Sequence, residues 1–143
     1  MAQIRRCTLG DFDAILPLLR QLWPDKSIDS EASRQVFAKG VDSPFQEYIC
    51  AVIDTRVVGF CSLSIKNNLW LEGNLGHVDE LIVDESVRGQ GIGKHLLDHI
   101  TGLARERGCK RLELDSAFHR MGAHRFYEEH GFENRAYLFS KVL

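Results

Sequence analysis

The chain has 143 residues, of which 44% are hydrophobic and 27% charged, and its formal net charge is −2. This length fits one domain spanning residues 1–143, with enough chain to bury a core. The charge balance predicts no nucleic-acid partner, and no apolar run approaches the roughly 20 residues of a membrane span. With charges within the first six residues and no apolar signal region behind them, the sequence predicts a cytoplasmic protein without a membrane partner.

The N-terminal half predicts two helices between strands. Thr8 and Asp11 have the spacing of a helix-capping pair, and apolar residues then recur at helical spacing until Pro24 ends the pattern. Two alternating runs a few residues apart predict a β-hairpin. In chain order, the predicted elements are strand 3–7, helix 8–22, a weaker helix 29–39, and strands 47–54 and 57–65.

The C-terminal half predicts a buried strand, a long helix and three further elements. The long helix should end at Gly108 and the second helix at Gly131, because glycine commonly follows a helix end. The predicted elements are strand 77–83, helix 91–107, strand 111–115, helix 123–130 and strand 137–143. The order β-α-α-β-β-β-α-β-α-β predicts a mixed α/β sheet with helices on both sides.

The turn between the buried strand and the long helix is rich in glycine. It does not fit the dinucleotide pattern Gly-x-Gly-x-x-Gly, because Lys94 and Leu96 fall where the third glycine belongs, and it does not fit the P-loop pattern. The pattern that remains is Arg88-x-x-Gly91-x-Gly93. Glycine lets the backbone approach a ligand, and the following helix presents free N–H groups to an anion. The turn suits a pyrophosphate, and an ordinary glycine-rich turn is the alternative.

Two segments carry a family resemblance. Residues 88–93 match the motif Arg/Gln-x-x-Gly-x-Gly/Ala, and residues 123–132 match Ala-x-x-x-Tyr-x-x-x-Gly-Phe. With these motifs and this element order, the whole chain resembles the Gcn5-related N-acetyltransferases (GNAT). Within that family it looks most like small-molecule enzymes of the aminoalkylphosphonate type, and less closely like small aminoglycoside acetyltransferases. The resemblance implies a mostly antiparallel central sheet flanked by helices, and acetyl-CoA as acyl donor.

The resemblance also implies where coenzyme A binds. The family's pantetheine arm pairs with the strand before the glycine turn, and a backbone N–H of that strand stabilises the developing oxyanion. Many members carry Asn seven residues before the motif tyrosine as a further pantetheine contact, and this chain has Arg120 there. The implied cofactor-binding residues are Leu81, Ile82, Val83, Arg88, Gly89, Gln90, Gly91, Ile92, Gly93, Lys94 and Arg120.

Two residues match the family's catalytic positions. Glu80 matches the general base that deprotonates the amine, and Tyr127 matches the general acid that protonates the leaving thiolate. Asp79 should point to the opposite face if the strand is regular, and it is the fallback for Glu80 because a bulge would swap the faces. The structural alternatives are that one carboxylate caps a loop or pairs with His77, and that Tyr127 packs under Phe132.

The expected function is therefore transfer of acetyl from acetyl-CoA to a primary amine of a small molecule. A homodimer is one expected form of the protein. The four cysteines and six histidines show no metal-binding pattern, so no metal is expected. A protein or peptide acetyltransferase remains an alternative, with a groove that the Trp70–Gly76 loop would leave open or fill, and so does a non-catalytic acetyl-CoA-binding module. An aminoglycoside would call for carboxylates such as Asp25, and an aminoalkylphosphonate for cations: Lys66, His119 or Arg120.

Overall fold

A five-stranded sheet, with its strands side by side in chain order, forms the centre of the computed structural model, which describes residues 1–143. The first four strands pair antiparallel, and the fifth pairs parallel with the fourth. The strands are β1 (Gln3–Arg6), β2 (Gln46–Ile53), β3 (Arg56–Asn68), β4 (Gly73–Val83) and β5 (Cys109–Leu114). This arrangement confirms the predicted mixed α/β fold with a mostly antiparallel sheet.

Helices cover both faces of the sheet. They are α1 (Phe12–Leu22), α2 (Ser30–Asp42), α3 (Ile92–Glu106) and α4 (Met121–Glu129). The apolar stripe of α1 packs with Phe37 of α2 against Cys50, Phe60 and Ile82, whereas α3 packs against alternate residues of the same strands. Because side chains alternate along a strand, two separate clusters fill the two faces. No helix is long and apolar enough to cross a membrane.

The predicted last strand is wrong. Residues 131–143 form neither helix nor strand, although residues 137–143 have a strand-like sequence, and the large apolar side chains from Tyr137 to Leu143 are exposed. A strand needs a neighbour to receive its hydrogen bonds, and this segment has none within the chain. Among the exposed residues, Tyr137 contacts Phe118, with ring centroids 6.4 Å apart.

The separation of β4 from β5 creates the opening on which the candidate site is built. Pairing between the two strands covers only Asn74–Val78 of β4, whereas β4 stays paired with β3 as far as Val83. Residues 79–83 of β4 therefore keep one free edge, where alternate residues direct their backbone N–H and C=O groups away from β3 and towards the gap. The gap lies directly before the turn that leads into α3.

Candidate active site

A cavity of about 620 Å³ lies in the gap between β4 and β5. Its walls come from the end of α1, the free edge of β4, the end of β5 and the start of α4. Its polar lining consists of Asp25, Lys26, Asp79, Glu80, Asp115, Ser116, His119, Arg120 and Tyr127. The volume lies within the range of small-ligand sites, roughly 300–1,000 Å³. The cavity brings together the two predicted catalytic residues, Glu80 and Tyr127.

A β-bulge turns two consecutive carboxylates of β4 to the same face. The pairing register shifts after Ser62, the partner of Glu80, so that Asp79 has no partner on β3. Glu80 Oε1 accepts a 2.6 Å hydrogen bond from Ser62 Oγ, and Asp79 Oδ1 accepts one of 3.2 Å from Ser64 Oγ. Ser62 and Ser64 lie two residues apart on β3 and share a face. The strand is therefore not regular at this point. Because the bulge adds one residue, Asp79 lies on the same face as Glu80 and not on the other face.

The surroundings of Glu80 make its carboxylate more basic than usual. Burial raises its pKa, the hydrogen bond from Ser62 lowers it, the nearby negative charge of Asp79 raises it and His77 lowers it, with burial the largest effect. A carboxylate with a raised pKa accepts a proton more readily once it is ionised. A buried carboxylate with a raised pKa is what a general base requires, so Glu80 stays the candidate for that role.

Asp79 is engaged by a histidine. His77 Nδ1 lies 2.8 Å from Asp79 Oδ1, and its Nε2 lies 3.3 Å from Asp115 Oδ2. The hydrogen bond to Asp79 is the largest cause that raises the pKa of His77. Of the two carboxylates, Asp79 is therefore the one that pairs with His77. Glu80 is hydrogen-bonded to Ser62 instead. The sequence did not predict Ser62 and Asp115 as site residues. Both are brought to the site by the pairing of strands that are distant in sequence, and neither belongs to a local motif.

Tyr127 both packs in the core and borders the cavity. Its ring lies edge-to-face with Phe126 and Phe132, at centroid distances of 5.5 and 5.8 Å. Burial is the main effect that raises the pKa of its hydroxyl, while the Arg120 charge lowers it. A hydroxyl with a raised pKa keeps its proton at neutral pH and is available as a donor. The packing alternative therefore holds, and it does not exclude a catalytic role.

The two catalytic candidates approach the gap from opposite faces of the sheet. Glu80 lies on the face covered by α1, where Ile82 and Phe60 belong to the same cluster. Tyr127 packs against the cluster on the α3 face. Because β4 and β5 have separated at this height, one cavity contacts both residues. A proton-accepting carboxylate and a proton-donating hydroxyl can thus contact one bound molecule in the gap from different faces of the sheet.

The glycine turn leaves the start of α3 open to a ligand. Gly89 and Gly91 have φ of +80° and +82°, and a Cβ at either position would meet nothing within 4 Å. Gly91 caps α3 without a side chain, so the first backbone N–H groups of the helix have no intrahelical acceptor. Free donors and the positive end of a helix dipole are features shared by sites that bind phosphates.

The cations of the turn are engaged elsewhere. Arg88 Nε donates to the Val83 carbonyl over 2.9 Å, and Lys94 Nζ pairs with Asp98 over 2.5 Å. Ile92 and Ile82 are buried in the core, which leaves only their backbone groups for a ligand. The free backbone N–H groups at the start of α3 are therefore the donors of the turn that have no partner within the helix.

Arg120 caps the N-terminal end of α4 and borders the cavity. Its guanidinium donates to the Leu22 carbonyl at the end of α1 and thereby links two walls of the cavity. It takes part in no ion pair of the chain. Lys66, by contrast, is exposed and does not line the cavity.

Two other features lie away from the cavity. The turn that contains Trp70 precedes β4 and sits at the opposite end of that strand from Glu80, so it does not shape the cavity. Cys7, Asp11 and Cys50 form a buried group whose ligand-type atoms lie within 4.8 Å of one another. The Asp11 carboxylate, however, is held by both terminal nitrogens of Arg5 at 2.8 Å, which accounts for it as an ion pair.

Comparison with known proteins points in one direction. Residues 12–132 match the acetyltransferase (GNAT) family. The chain is 32% identical to the aminoalkylphosphonate N-acetyltransferase of Salmonella typhimurium, over 100% of this chain and 92% of that protein. It is 28% identical to an aminoglycoside N(6')-acetyltransferase of Stenotrophomonas maltophilia, over 91% of this chain and 85% of that protein.

Other relatives agree. A glucosamine 6-phosphate N-acetyltransferase of Oryza sativa is 29% identical, over 91% of this chain and 80% of that protein. Among solved structures, a putative acetyltransferase from Agrobacterium tumefaciens superposes with a TM-score of 0.88 at 24% identity, covering 99% of both chains. The structural likeness supports the fold, and the sequence matches support the family.

Proposed function

The chain belongs to the acetyltransferase (GNAT) family, and from this we propose that its 143 residues form one domain that transfers acetyl from acetyl-CoA to a primary amine of a small molecule. The observation that carries the proposal is the cavity in which Glu80 and Tyr127 meet beside the free edge of β4. We place the enzyme in the cytoplasm, whose reducing conditions suit four free cysteines, without a nucleic-acid or membrane partner.

The residues present fit coenzyme A. We propose that the N–H groups at the start of α3 hold its pyrophosphate, in the space that side chains at Gly89 and Gly91 would otherwise enter. The free edge at residues 81–83 offers hydrogen bonds to the pantetheine arm. Ser116 Oγ, buried at the cavity without a hydrogen-bond partner, is a further group that a bound molecule could satisfy.

Gly91→Val should weaken acetyl-CoA binding by about 10- to 100-fold, the equivalent of one or two lost hydrogen bonds to a charged group. The added side chain would occupy the phosphate space and cover the first N–H groups of α3. Gly108→Val is the matched control, because Gly108 also has a positive φ, +75°, and open space around its Cβ, but lies far from the cavity. Calorimetric affinity measured on folded protein gives the result, and an unchanged affinity for Gly91→Val would remove the turn from the binding site.

Chemistry at the cavity requires one group that accepts a proton and one that donates it. A lysine-like amine has a pKa of about 10 and is mostly protonated at neutral pH. We propose that Glu80 accepts its proton, directly or through one water, and that Tyr127 donates a proton to the departing sulfur. Bound acetyl-CoA supplies the thioester, and the backbone N–H groups of residues 81–83 stabilise negative charge on its carbonyl oxygen.

Turnover separates this proposal from its alternatives. An acetyl-CoA-binding module without chemistry would bind the cofactor but release no free thiol with any amine. A protein acetyltransferase would release thiol with peptides and not with small amines. A cavity of about 620 Å³ has the size of a small-ligand site, which favours the small acceptor.

The charges of the cavity support an acceptor that carries an anionic group as well as an amine. We propose that the amine lies near Glu80 and Asp79, and that Arg120, which has no carboxylate partner, binds the anion. Relatives named for aminoalkylphosphonates and for glucosamine 6-phosphate act on such molecules. An aminoglycoside is the second candidate, favoured by the carboxylates Asp25, Asp79 and Asp115.

Arg120→Met should raise the KM for an aminoalkylphosphonate by about 10- to 100-fold, because a hydrogen-bonded charge on the acceptor loses its partner. The KM for an uncharged alkylamine of equal length should change little. Lys66→Met is the control, since Lys66 is a cation outside the cavity. If both amines keep their KM while the KM for acetyl-CoA rises, Arg120 contacts the pantetheine arm instead.

We also propose that the enzyme is a homodimer. The C-terminal segment, which leaves apolar side chains exposed, supplies the reason.

A further inference from the structure

A histidine lies at the point where β4 and β5 separate. His77 of β4 pairs with Glu113 of β5, and the parallel pairing ends one residue later, with Val78 and Leu114. Asp115 follows directly and has no pairing partner on β4. Its Oδ2 nevertheless lies 3.3 Å from Nε2 of His77. The two side chains thus continue the contact between the strands past the last backbone pair.

The other ring nitrogen of His77 contacts the bulge of β4. Nδ1 lies 2.8 Å from Oδ1 of Asp79, the residue that the bulge turns to the face of Glu80. The same oxygen accepts the 3.2 Å hydrogen bond from Ser64, which is the partner of His77 on β3. Two neighbouring side chains therefore hold the Asp79 carboxylate, whose charge acts on Glu80.

Carboxylates dominate the charged surroundings of His77. The hydrogen bond to Asp79 is the largest effect and raises the pKa of the imidazole, burial lowers it, and the charges of Asp79 and Asp115 raise it. On β5 its pairing partner is another carboxylate, Glu113, whereas on β3 its partner is a neutral serine and Lys66, two residues further along, is exposed. Only the protonated ring has an N–H on both nitrogens and can donate to two carboxylates at once.

We propose that His77 is a positioning residue whose imidazolium joins Asp79 to Asp115 and so sets the width of the gap in which the acceptor amine binds. This role rests on the function proposed above and adds a residue to its acceptor site. Both carboxylates line the catalytic cavity, whereas His77 does not. The histidine therefore acts through its two partners and not by contact with the acceptor.

The contact with Asp115 fixes the start of a loop that forms one wall of the cavity. Ser116, His119 and Arg120 follow within five residues and line the cavity, and Arg120 is the group assigned above to an anion of the acceptor. Because no backbone pairing holds Asp115 to β4, loss of the histidine contact leaves the start of this loop free to move away. Binding of the acceptor should then weaken, while acetyl-CoA keeps its contacts at residues 81–83 and at the glycine turn.

The charge of His77 also acts on the proposed base. It lowers the pKa of Glu80, whereas burial and the charge of Asp79 raise that pKa. His77 carries its charge below its own raised pKa, and therefore on the acidic side where Glu80 takes up a proton. Removal of this charge should raise the pKa of Glu80, so the rate of acetyl transfer should begin to fall at a higher pH. Loss of the Asp79 charge should move the same limb of the profile in the opposite direction.

Two amide substitutions separate the bridge from the charge. An Asn amide lies where the Nδ1 of the ring lies, and the longer Gln amide reaches the place of Nε2, so His77→Asn keeps the donor to Asp79 and His77→Gln keeps the donor to Asp115. Both variants lack the charge, and both should move the acidic limb of kcat/KM to higher pH. Only His77→Asn should raise the KM for an aminoalkylphosphonate, by about 3- to 10-fold, the equivalent of about one hydrogen bond. The KM for acetyl-CoA should stay unchanged in both.

An NMR titration of the His77 imidazole tests the bridge without turnover. In the wild type its pKa should lie above the ordinary value of about 6.5, and Asp79→Asn and Asp115→Asn should each lower it. Glu113→Gln is the control, because Glu113 is the backbone partner of His77 on β5, whereas the ion pairs of the ring are with Asp79 and Asp115. It should shift the pKa less than either of the other two variants.

An imidazole pKa that neither Asp79→Asn nor Asp115→Asn lowers overturns the bridge. A wild-type acceptor KM in folded His77→Asn, or an equal rise in His77→Gln, overturns the positioning of the loop. An acidic limb that stays in place or moves to lower pH overturns the effect on Glu80. Wild-type turnover in Glu80→Gln would instead remove the proposed base, and the imidazole titration would still report whether the bridge exists.

Discussion

Replacing Glu80 with Gln should lower the rate of acetyl transfer by about 10² to 10⁴ at neutral pH, the usual cost of losing a general base. Gln keeps the size of the side chain, and its amide can still meet the hydroxyl of Ser62, so folding should be little affected. Affinity for acetyl-CoA should stay near that of the wild type, because the change removes no group from the glycine turn. The measurement is thiol release at saturating amine, with binding determined separately by calorimetry.

The pH dependence makes this test specific. Because burial raises the pKa of Glu80, the wild-type rate should fall as the pH drops through that pKa and the carboxylate takes up a proton. The deficit of Glu80→Gln should shrink at high pH, where the free amine needs no base. A variant with wild-type turnover at neutral pH would remove Glu80 from the chemistry.

Asp79→Asn is the matched control. Its negative charge is one of the effects that raise the pKa of Glu80, so its loss should move the acidic limb of the wild-type profile to lower pH. Turnover at neutral pH should stay within a few-fold of the wild type. An equal loss of rate in Asp79→Asn alone would instead assign the base to Asp79, which the bulge has brought to the same face as Glu80.

Local patterns were sufficient to predict most elements and the glycine turn. Helical spacing of apolar residues identified α1 and α3, and the turn at 88–94 could be interpreted because its glycines and the helix start that it precedes are neighbours in sequence. The start of β4 was predicted too late, at 77 instead of Gly73, because glycines were taken as loop residues. Gly76 lies inside the strand, where a Cβ would approach Leu63 Cδ1 to 3.1 Å.

Features that depend on pairing between distant segments could not be predicted in this way. The bulge at Asp79 follows from the register of β4 on β3, and no residue near position 79 specifies that register by itself. The hydrogen bond from Ser62 to Glu80 has the same origin. Residues 137–143 illustrate the opposite case: their strand pattern was recognised, but no strand of the chain pairs with them.

Tyr127→Phe should reduce acetyl transfer by a factor on the order of 10² or more, if the hydroxyl protonates the departing sulfur. A cysteine-like thiol has a pKa of about 8.5, so the sulfur that leaves the tetrahedral intermediate takes up a proton at neutral pH, and a donor beside it assists the cleavage of the C–S bond. The raised pKa of Tyr127 keeps its proton in place at neutral pH, and its position on the cavity wall lets it meet a group held on β4. Acetyl-CoA should still bind, because the ring remains.

Phenylalanine distinguishes catalysis from packing, because the contacts of Tyr127 with Phe126 and Phe132 involve the ring and not the hydroxyl. A purely structural tyrosine would lose at most one hydrogen bond, about 1 kcal/mol of stability, and turnover would stay normal. Tyr137→Phe is the control, since Tyr137 is exposed in the C-terminal segment, does not line the cavity of Glu80, and keeps its ring as well. Normal thiol release by Tyr127→Phe would make solvent the proton source and leave this tyrosine a role in packing alone.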